Sequence, residues 1–178
     1  MCRLGLTSFD AAFAFGEYEG PLRKLIHEFK YSGVTPLAGK LGPLLSGALP
    51  RDQKFDVIVP MPLHWRKRLE RGFNQSELLA KYLSKRSGIP VAAGLKRRKS
   101  TAPQAGLTRA QRRTNVAGAF EVDQRDRIDG RHVLLIDDVL TTGATASACA
   151  AVLKRAGARR VTVLTLARAD RRKSLARA

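Results

Sequence analysis

The chain has 178 residues and a net charge of +18 at pH 7, and its length is typical of one α/β domain that buries a substantial core. It has no apolar run near the ~20 residues of a membrane-spanning helix, no signal-peptide layout at its start, and two cysteines, which alone cannot build a disulfide framework or a four-ligand zinc site. We therefore expect a soluble cytoplasmic protein without membrane insertion.

The positive charge is concentrated in two blocks. Residues 64–115 carry 14 basic and two acidic side chains, and residues 154–178 carry nine and one. Such blocks indicate a polyanionic partner such as pyrophosphate or nucleic acid. For the C-terminal block, a generally basic protein surface is an equally good explanation.

The first fifty residues are predicted to form a strand and two helices. The strand covers Phe9–Tyr18, and Gly20-Pro21 begins a helix because proline suits the first helical position. A second, looser helix covers Pro36–Leu49 and is predicted to break near Gly42-Pro43. Lys30, near the end of the first helix, is a weak candidate for a phosphate contact.

A basic loop follows the next predicted strand. The run Asp56–Pro60 indicates a buried strand, and the residues from Met61 to Gln75 contain four arginines and lysines. Clustered guanidinium and ammonium groups suit a pyrophosphate leaving group. For His64 alone, a structural hydrogen bond is the commoner role. A helix over Ser76–Ser87 closes this unit.

The middle of the chain gives weaker signals. Ile89–Leu95 reads as one or two short strands, and residues 96–106 lack apolar periodicity, which predicts a mobile loop. Thr108–Asn115 is predicted to form a short basic helix with Thr108 as its N-cap. A short strand follows at Phe120–Val122.

The strongest pattern is RHVLLIDDVLTTGAT, residues 131–145. The apolar run Val133–Ile136 predicts a central strand of a parallel sheet that ends at Asp137 and Asp138. A polar loop, Thr141–Thr145, then leads into a helix, and a helix N-terminus binds phosphate well. Two carboxylates beside such a loop can accept hydrogen bonds from a vicinal sugar diol, so this stretch predicts a pocket for a sugar 5-phosphate. The last strand is predicted at residues 161–167.

The segment VLLIDDVLTTGAT resembles the phosphoribosyl pyrophosphate (PRPP) motif of type I phosphoribosyltransferases. That resemblance implies an α/β fold with a mostly parallel open sheet, flanking helices and a small N-terminal hood. It also implies Mg²⁺ held mainly by PRPP and water. The implied PRPP-binding residues are Asp137 and Asp138 for the ribose hydroxyls, Thr141, Thr142, Gly143, Ala144 and Thr145 for the 5-phosphate, and Pro62, Leu63 and His64 with Arg66 and Arg71 for pyrophosphate.

The stretches FDAAFAFGEYEGPLRKLIHEFKYSG, VPMPLHWRKRLERGFNQ and KSTAPQAGLTRAQRRTNVAGAF resemble the ComF family, which is associated with DNA uptake and natural transformation. Members of that family usually begin with a four-cysteine zinc finger, of which Cys2 is the one matching residue here, so zinc binding is not predicted. We expect a single domain over residues 1–178, with a hood in 1–50, a core in 51–168 and a basic tail in 169–178.

Two functions follow from the resemblance. In the first, the protein transfers phosphoribosyl from PRPP to a nitrogenous acceptor, with Asp137, Asp138, Lys99, Gln104 and Arg112 as the catalytic set and the last three on or beside a loop that closes over the site. In the second, it is a non-catalytic DNA-uptake accessory that binds single-stranded DNA or partner proteins. The sequence predicts neither the acceptor base nor the oligomeric state.

Overall fold

The computed structural model describes residues 7–31, 35–98 and 118–169. Its core is a four-stranded sheet in the order β1-β6-β5-β2, in which every neighbouring pair is parallel. The strands of this sheet are β1 Ala11–Glu17, β2 Val57–Pro60, β5 His132–Leu140 and β6 Arg160–Arg168. A separate antiparallel pair joins β3 Leu95–Arg97 to β4 Phe120–Val122. The predicted parallel α/β architecture is confirmed.

Five helices flank the sheet within the described residues, together with a short 3-10 helix at Arg125–Arg127. Their bounds are α1 Gly20–Tyr31, α2 Leu37–Gly47, α3 Trp65–Arg71, α4 Gln75–Ser87 and α5 Ala144–Arg155. Among these, no helix is long and apolar enough to cross a membrane.

The apolar side chains of β5 point alternately to two cores because successive residues of a strand face opposite sides of the sheet. Val133 and Leu135 pack with Leu153 of α5 on one face. Leu134 and Ile136 pack on the other face, against helices α1, α2 and α4. Both faces are thus covered, which is what a parallel sheet requires, and the functional groups are left to the strand ends.

The N-terminal segment takes part in the main sheet. Residues 11–17, which lie in the segment predicted as a hood, form an edge strand in which Ala12 pairs with Val163 and Ala14 with Thr165 of β6. The following helix α1 packs Ile26 and Phe29 into the core beneath α2 and α4.

The predicted break in the second helix is wrong. Helix α2 runs without interruption through Gly42 and Pro43. Packing against α4 holds it: a Cβ atom on Gly42 would lie 2.4 Å from ring atoms of Tyr82, and Leu41 and Leu45 are fully buried. Tertiary contacts therefore outweigh the local preference of proline against a helix interior.

Two other local predictions need correction. The segment predicted as a basic loop contains helix α3, whose sequence WRKRLER has too few apolar residues to show a helical period. In the segment Ile89–Leu95, Val91 forms an isolated bridge to Ile58, and regular pairing begins only at Leu95 and continues to Arg97. The predicted helix at residues 108–115 and most of the predicted loop at 96–106 lie outside the described residues.

Candidate functional site at the carboxyl edge of the sheet

The predicted site residues meet at one edge because β2 and β5 are neighbours and run parallel. Pro60, the last residue of β2, pairs with Ile136, which directly precedes the acid pair in β5. After β2 the chain passes through residues 61–64 into α3, and after β5 it passes through residues 141–143 into α5. Ligands of open α/β sheets bind at such carboxyl ends. Of the predicted site residues, Lys99, Gln104 and Arg112 lie outside the described residues.

The two acids belong to the strand itself. The sequence predicts that the strand ends at Asp137, but β5 continues to Leu140, with Asp137 opposite Thr165 and Val139 opposite Ala167 of β6. Pairing with β6 on one side is sufficient to extend the strand past its apolar run. The two carboxylates consequently have fixed backbone positions, and their side chains point to opposite faces of the strand.

Each carboxylate has a partner from another element. The Ser76 hydroxyl, in the first turn of α4, donates to Oδ1 of Asp137 over 3.2 Å, and the N–H of Asp138 donates to the same oxygen over 2.9 Å. Lys30, at the end of α1, places its Nζ 3.0 Å from Oδ1 of Asp138. The pair is therefore oriented by groups of the chain before any ligand arrives.

The electrostatics of this cluster are strongly coupled. Burial, and then the like charge of Asp138, raise the pKa of Asp137 to about 7, while Lys30 and the two hydrogen bonds oppose the rise. Burial works against the charged form of Lys30, but the carboxylates of Asp138 and Asp137 outweigh it and raise the pKa of Lys30 above its ordinary value. Burial and Asp138 thus favour the protonated form of Asp137, and the two carboxylates favour the charged form of Lys30.

The loop after β5 has the geometry of an anion site. Gly143 has φ +75° and is the N-cap of α5, which is a conformation that favours glycine. The Thr142 hydroxyl accepts from the N–H of Ala144 over 3.4 Å. The helix begins at Ala144, two residues earlier than predicted, so Ala144 and Thr145 of the predicted phosphate loop contribute N–H groups to its first turn.

On the neighbouring strand end, His64 has a structural contact. Its Nδ1 accepts from the N–H of Arg66 over 3.4 Å and so caps the N-terminus of α3. Burial, followed by the charges of Arg97, Arg66 and Lys67, lowers the pKa of His64, which favours the neutral ring. His64 therefore makes the structural hydrogen bond that the sequence analysis gave as its commoner role.

The predicted arginines of α3 lie against aromatic rings. The guanidinium of Arg66 lies 5.3 Å from the ring centre of Trp65, and that of Arg71 lies 5.0 Å from the ring centre of Tyr31. Arg71 also donates to the side-chain oxygen of Gln75 over 3.2 Å. Cation–π contacts of this kind leave the positive charge of each arginine available to an anion.

The sequence RGFNQ, residues 71–75, joins the two strand ends. Gly72 ends α3 in the left-handed conformation, with φ +76°. Asn74 caps α4 by accepting from the N–H of Ser76 over 3.0 Å, and its side-chain amide donates to the carbonyl of Met61 just after β2, also over 3.0 Å. These contacts place Ser76 against Asp137.

A depression of about 350 Å³ lies beside the acid pair. It is lined by Lys30, Tyr31, Lys67, Glu70 and Arg71. Lys30 therefore contacts Asp138 and also forms part of this wall. The sequence marked Lys30 only as a weak candidate and did not single out Ser76, because their contacts with the acids span 108 and 61 positions of the chain and leave no local pattern.

Comparison with known proteins places this geometry in context. The family model described as "Phosphoribosyl transferase domain" matches residues 71–178. Competence protein F from Haemophilus influenzae is 35% identical over 171 residues, which cover 91% of this chain and 74% of the relative. DNA utilization protein YhgH from Escherichia coli K12 is 35% identical over 159 residues, which cover 85% of this chain and 69% of the relative.

A solved structure shows the same fold. Glutamine PRPP amidotransferase from B. subtilis superimposes with a TM-score of 0.51 and 23% identity, over 73% of this chain. The match covers 26% of the amidotransferase chain, so the similarity concerns one part of that larger protein and its fold alone.

Proposed function

The chain belongs to the phosphoribosyl transferase domain family and within it to the competence protein F (ComF) group, and from that premise we propose that its carboxyl-edge site binds PRPP or ribose 5-phosphate. The observation that carries the proposal is that two carboxylates and a helix N-terminus lie next to each other at the end of one strand. Asp137 and Asp138 lie near the end of β5, and Gly143 caps the N-terminus of α5 three residues after the strand ends. Two oriented carboxylates beside a helix N-terminus match a sugar that bears both a diol and a phosphate.

The 5-phosphate is assigned to the loop from Thr141 to Thr145. The positive φ of Gly143 lets the backbone approach a phosphate closely. α5 has 12 residues, and its N-terminal N–H groups and dipole favour an anion at this point. The threonine hydroxyls add donors.

The ribose hydroxyls are assigned to Asp137 and Asp138. Hydroxyl donors suit ionised carboxylates, and Asp137 is only partly ionised at neutral pH because of burial and its neighbour. A bound diol stabilises the charged form by hydrogen bonding, so we expect ligand binding to lower the pKa of Asp137.

Mg²⁺ fits this site as an ion held through the ligand. Within the described residues no group of three histidine, cysteine or acidic side chains is placed to hold a metal, and Asp138 is already paired with Lys30. Mg²⁺ prefers phosphates and several waters to an all-protein cage. Asp137 and Asp138 would therefore supply at most a minor part of its ligands, and the phosphates and water would supply the rest. When bound, Mg²⁺ neutralises charge that develops on a pyrophosphate leaving group.

The pyrophosphate is assigned to the residues after β2, namely Pro62, Leu63 and His64, with Arg66 and Arg71 nearby. The strand order brings this segment next to the acid pair. Because the His64 side chain caps α3, its contribution to an anion comes through the backbone and through the position it gives to α3. Lys99, Gln104 and Arg112 complete the proposed catalytic set, and they lie outside the described residues.

The proposed reaction is transfer of phosphoribosyl to a nitrogenous acceptor, and the proposed context is natural competence and DNA uptake. The names of the relatives support that context, since one is a competence protein and another a DNA utilization protein.

A second candidate function is a non-catalytic accessory that binds single-stranded DNA or partner proteins. The 14 basic side chains of residues 64–115 favour it, as does the exposed ring of Trp65, because bases stack on such rings.

Calorimetric titration tests the first function. We expect PRPP to bind with micromolar affinity when Mg²⁺ is present and at least tenfold more weakly without it. Ribose 5-phosphate serves as the matched control, because it has the same 5-phosphate and ring hydroxyls but no pyrophosphate. Absence of heat and of any thermal shift with both ligands would refute the assignment.

A salt series with a single-stranded oligonucleotide tests the second function. Electrostatic binding weakens steeply between 50 and 200 mM salt, by roughly a thousandfold for six or more phosphate contacts. Affinity that does not change with salt would exclude a role for the basic block in nucleic-acid binding.

A further inference from the structure

Positive charge is also concentrated at the amino edge of the main sheet, where its strands begin. Three segments of the chain lie at this edge: 51–56 before β2, 125–131 before β5, and 154–160 from the last turn of α5 to the start of β6. We call them together the amino-edge surface. They contain four acidic and nine basic side chains. The basic ones are all exposed, and they are Arg51, Lys54, Arg125, Arg127, Arg131, Lys154, Arg155, Arg159 and Arg160.

Backbone contacts make this surface continuous. The carbonyl of Arg131 accepts from the N–H groups of Arg159 over 2.9 Å and of Arg160 over 3.3 Å. On the other side, the N–H of Asp56 donates to the carbonyl of His132 over 3.0 Å. The start of β5 therefore lies between the other two segments, and its exposed arginine lies beside theirs.

Few of these cations have an acidic partner. Lys154 pairs with Asp10 over 2.7 Å, and the guanidinium of Arg159 lies 3.8 Å from the carboxylate of Asp56. In the part of the chain that the structure describes, the other seven make no ion pair. Only Lys154 and Arg155 lie in the last turn of an α-helix, where a cation stabilises the helix dipole. The helix dipole therefore does not account for the remaining cations.

This positive charge acts on a buried histidine beneath the surface. Burial lowers the pKa of His132, and the charges of Arg160 and Arg159 lower it further. A backbone hydrogen bond with Lys54 and the charge of Asp56 oppose that shift. Two guanidinium groups thus act on one point of the edge, and an anion bound there would reduce their mutual repulsion.

The composition of the amino-edge surface favours phosphate groups. Seven of its nine cations are arginines, and a planar guanidinium donates two parallel hydrogen bonds to a phosphate. The exposed large apolar side chains of the described residues all lie elsewhere, and they are Phe15, Tyr31, Trp65 and Leu69. A protein interface needs apolar or aromatic anchors at its centre, and base stacking needs aromatic rings. A row of phosphates needs only spaced cations, so it is the ligand that fits.

We propose that the amino-edge surface binds the phosphate backbone of nucleic acid through charge, without stacking on or reading the bases. Arg131 and Asp137 are six positions apart along extended chain, which corresponds to about 20 Å. Nucleic acid and a phosphoribosyl ligand can therefore occupy opposite edges of the sheet at the same time. This inference does not depend on PRPP binding, and it goes beyond the second candidate function, which uses residues 64–115 and the ring of Trp65. It also gives a role to the start of the C-terminal basic block.

Fluorescence anisotropy with a labelled duplex and a labelled oligothymidylate of equal length tests the proposal between 50 and 200 mM salt at fixed Mg²⁺. We expect the duplex to bind at least as tightly as the single strand, because its phosphates are denser and the surface has no ring for single bases.

The test variant combines Arg131→Gln, Arg159→Gln and Arg160→Gln. It should lower the slope of log affinity against log salt by about two to three, at roughly 0.9 per phosphate contact, and duplex affinity at 100 mM salt by about a hundredfold. The matched control removes the same charge from exposed positions of α1, α2 and α4, as Lys24→Gln, Lys40→Gln and Lys81→Gln. It should lower duplex affinity only a few-fold.

Four results would overturn the proposal: an unchanged slope in the arginine variant, equal losses in both variants, a tenfold preference for the single strand, or no duplex binding at 50 mM salt. Urea unfolding checks that the arginine variant is folded. If it is not, the pair Arg127→Gln with Arg155→Gln replaces it and should lower the slope by about one to two; an unchanged slope in that pair overturns the proposal equally.

PRPP titration with and without saturating duplex separates this inference from the proposed function. We expect PRPP affinity to be the same in both titrations and in the arginine variant. A loss of tenfold or more when the duplex is bound would place nucleic acid at the carboxyl edge and overturn the inference. Failure of PRPP to bind, with the effect of the arginine substitutions intact, would instead refute the proposed function and leave the amino-edge surface supported.

Discussion

The acidic end of β5 and the basic end of β2 lie side by side on one sheet edge, and they differ in how their charges are satisfied. Asp137 and Asp138 are contacted by Ser76 and Lys30, so the chain supplies their partners. On α3, Arg68 pairs with Glu77, whereas Lys67 makes no ion pair within the described residues. The acid end is thus organised before a ligand binds, and the basic end keeps positive charge for one.

This difference separates two kinds of contribution. Groups that the chain holds in place give geometry and specificity, because they need no reorganisation when a ligand arrives. Cations without protein partners give affinity and attraction at a distance, and salt screens them. Substitutions at the acid end should therefore alter ligand recognition most, and substitutions at the basic end should act through local stability or through salt-dependent affinity.

The largest expected effect comes from neutralising both acids. The double substitution Asp137→Asn with Asp138→Asn keeps the size of both side chains but removes two charged acceptors, each contributing roughly 1.5–3 kcal/mol to a hydrogen bond. We expect PRPP affinity to fall at least a hundredfold in calorimetric titration with Mg²⁺. Asp126→Asn, in the exposed 3-10 helix, is the matched control. Affinity within threefold of the wild type would remove these acids from the ribose site.

The next effect concerns stability and pH. The folded state raises the pKa of Asp137 from its ordinary value near 4 to about 7, so the proton bound to this side chain stabilises the fold at low pH. That contribution is complete below about pH 4 and is lost as the pH rises through 7. Asp137→Asn cannot lose a proton. The stability of this variant relative to the wild type, measured as the difference in free energy of unfolding, should therefore be on the order of 2 kcal/mol greater at pH 8 than at pH 5.

Urea unfolding at pH 5, 6, 7 and 8 measures this difference. Asp126→Asn should follow the wild-type curve over the same range, because its side chain is exposed. Parallel curves for Asp137→Asn and the wild type would mean that Asp137 is not protonated in the folded protein near neutral pH.

A smaller effect is expected at the residue that joins the two ends. Asn74→Ala removes the cap of α4 and leaves the carbonyl of Met61 without its donor, which should cost about 1–3 kcal/mol of unfolding free energy. Asn74→Ser keeps a capping oxygen but cannot reach Met61, so it should lose about half as much. The urea midpoint measures both, and identical losses would show that the contact with Met61 contributes nothing.

The parts of this molecule that could be predicted from sequence are those with strong local signals. The strand Phe120–Val122 agrees with the prediction at both ends, and helix α4 begins one residue before the predicted start. Apolar alternation and turn residues are sufficient for such elements. The motif around Asp137 also indicated the order of strand, acid pair, loop and helix correctly, although β5 itself continues to Leu140.

What could not be predicted depends on contacts between distant parts of the chain. β5 continues through its two acids because β6 pairs with them, and α2 continues through Pro43 because Tyr82 and the core hold it. Helix α3 has almost no apolar residues and is capped by a histidine, an uncommon cap. Ser76 and Lys30 reach the acids across 61 and 108 positions, respectively.

The smallest expected effect distinguishes two roles of His64 at the basic end. Its Nδ1 caps α3, and its lowered pKa favours the neutral ring, which disfavours a role as a positive charge toward pyrophosphate. His64→Asn supplies a good capping oxygen, whereas His64→Ala supplies none and should cost about 1 kcal/mol of unfolding free energy. We therefore expect His64→Asn to keep both the urea midpoint and the affinity for PRPP, and His64→Ala to lower the midpoint. A folded His64→Asn variant with PRPP affinity reduced tenfold or more would instead show that the imidazole itself contacts the ligand, and that both strand ends recognise it through side chains already fixed by the fold.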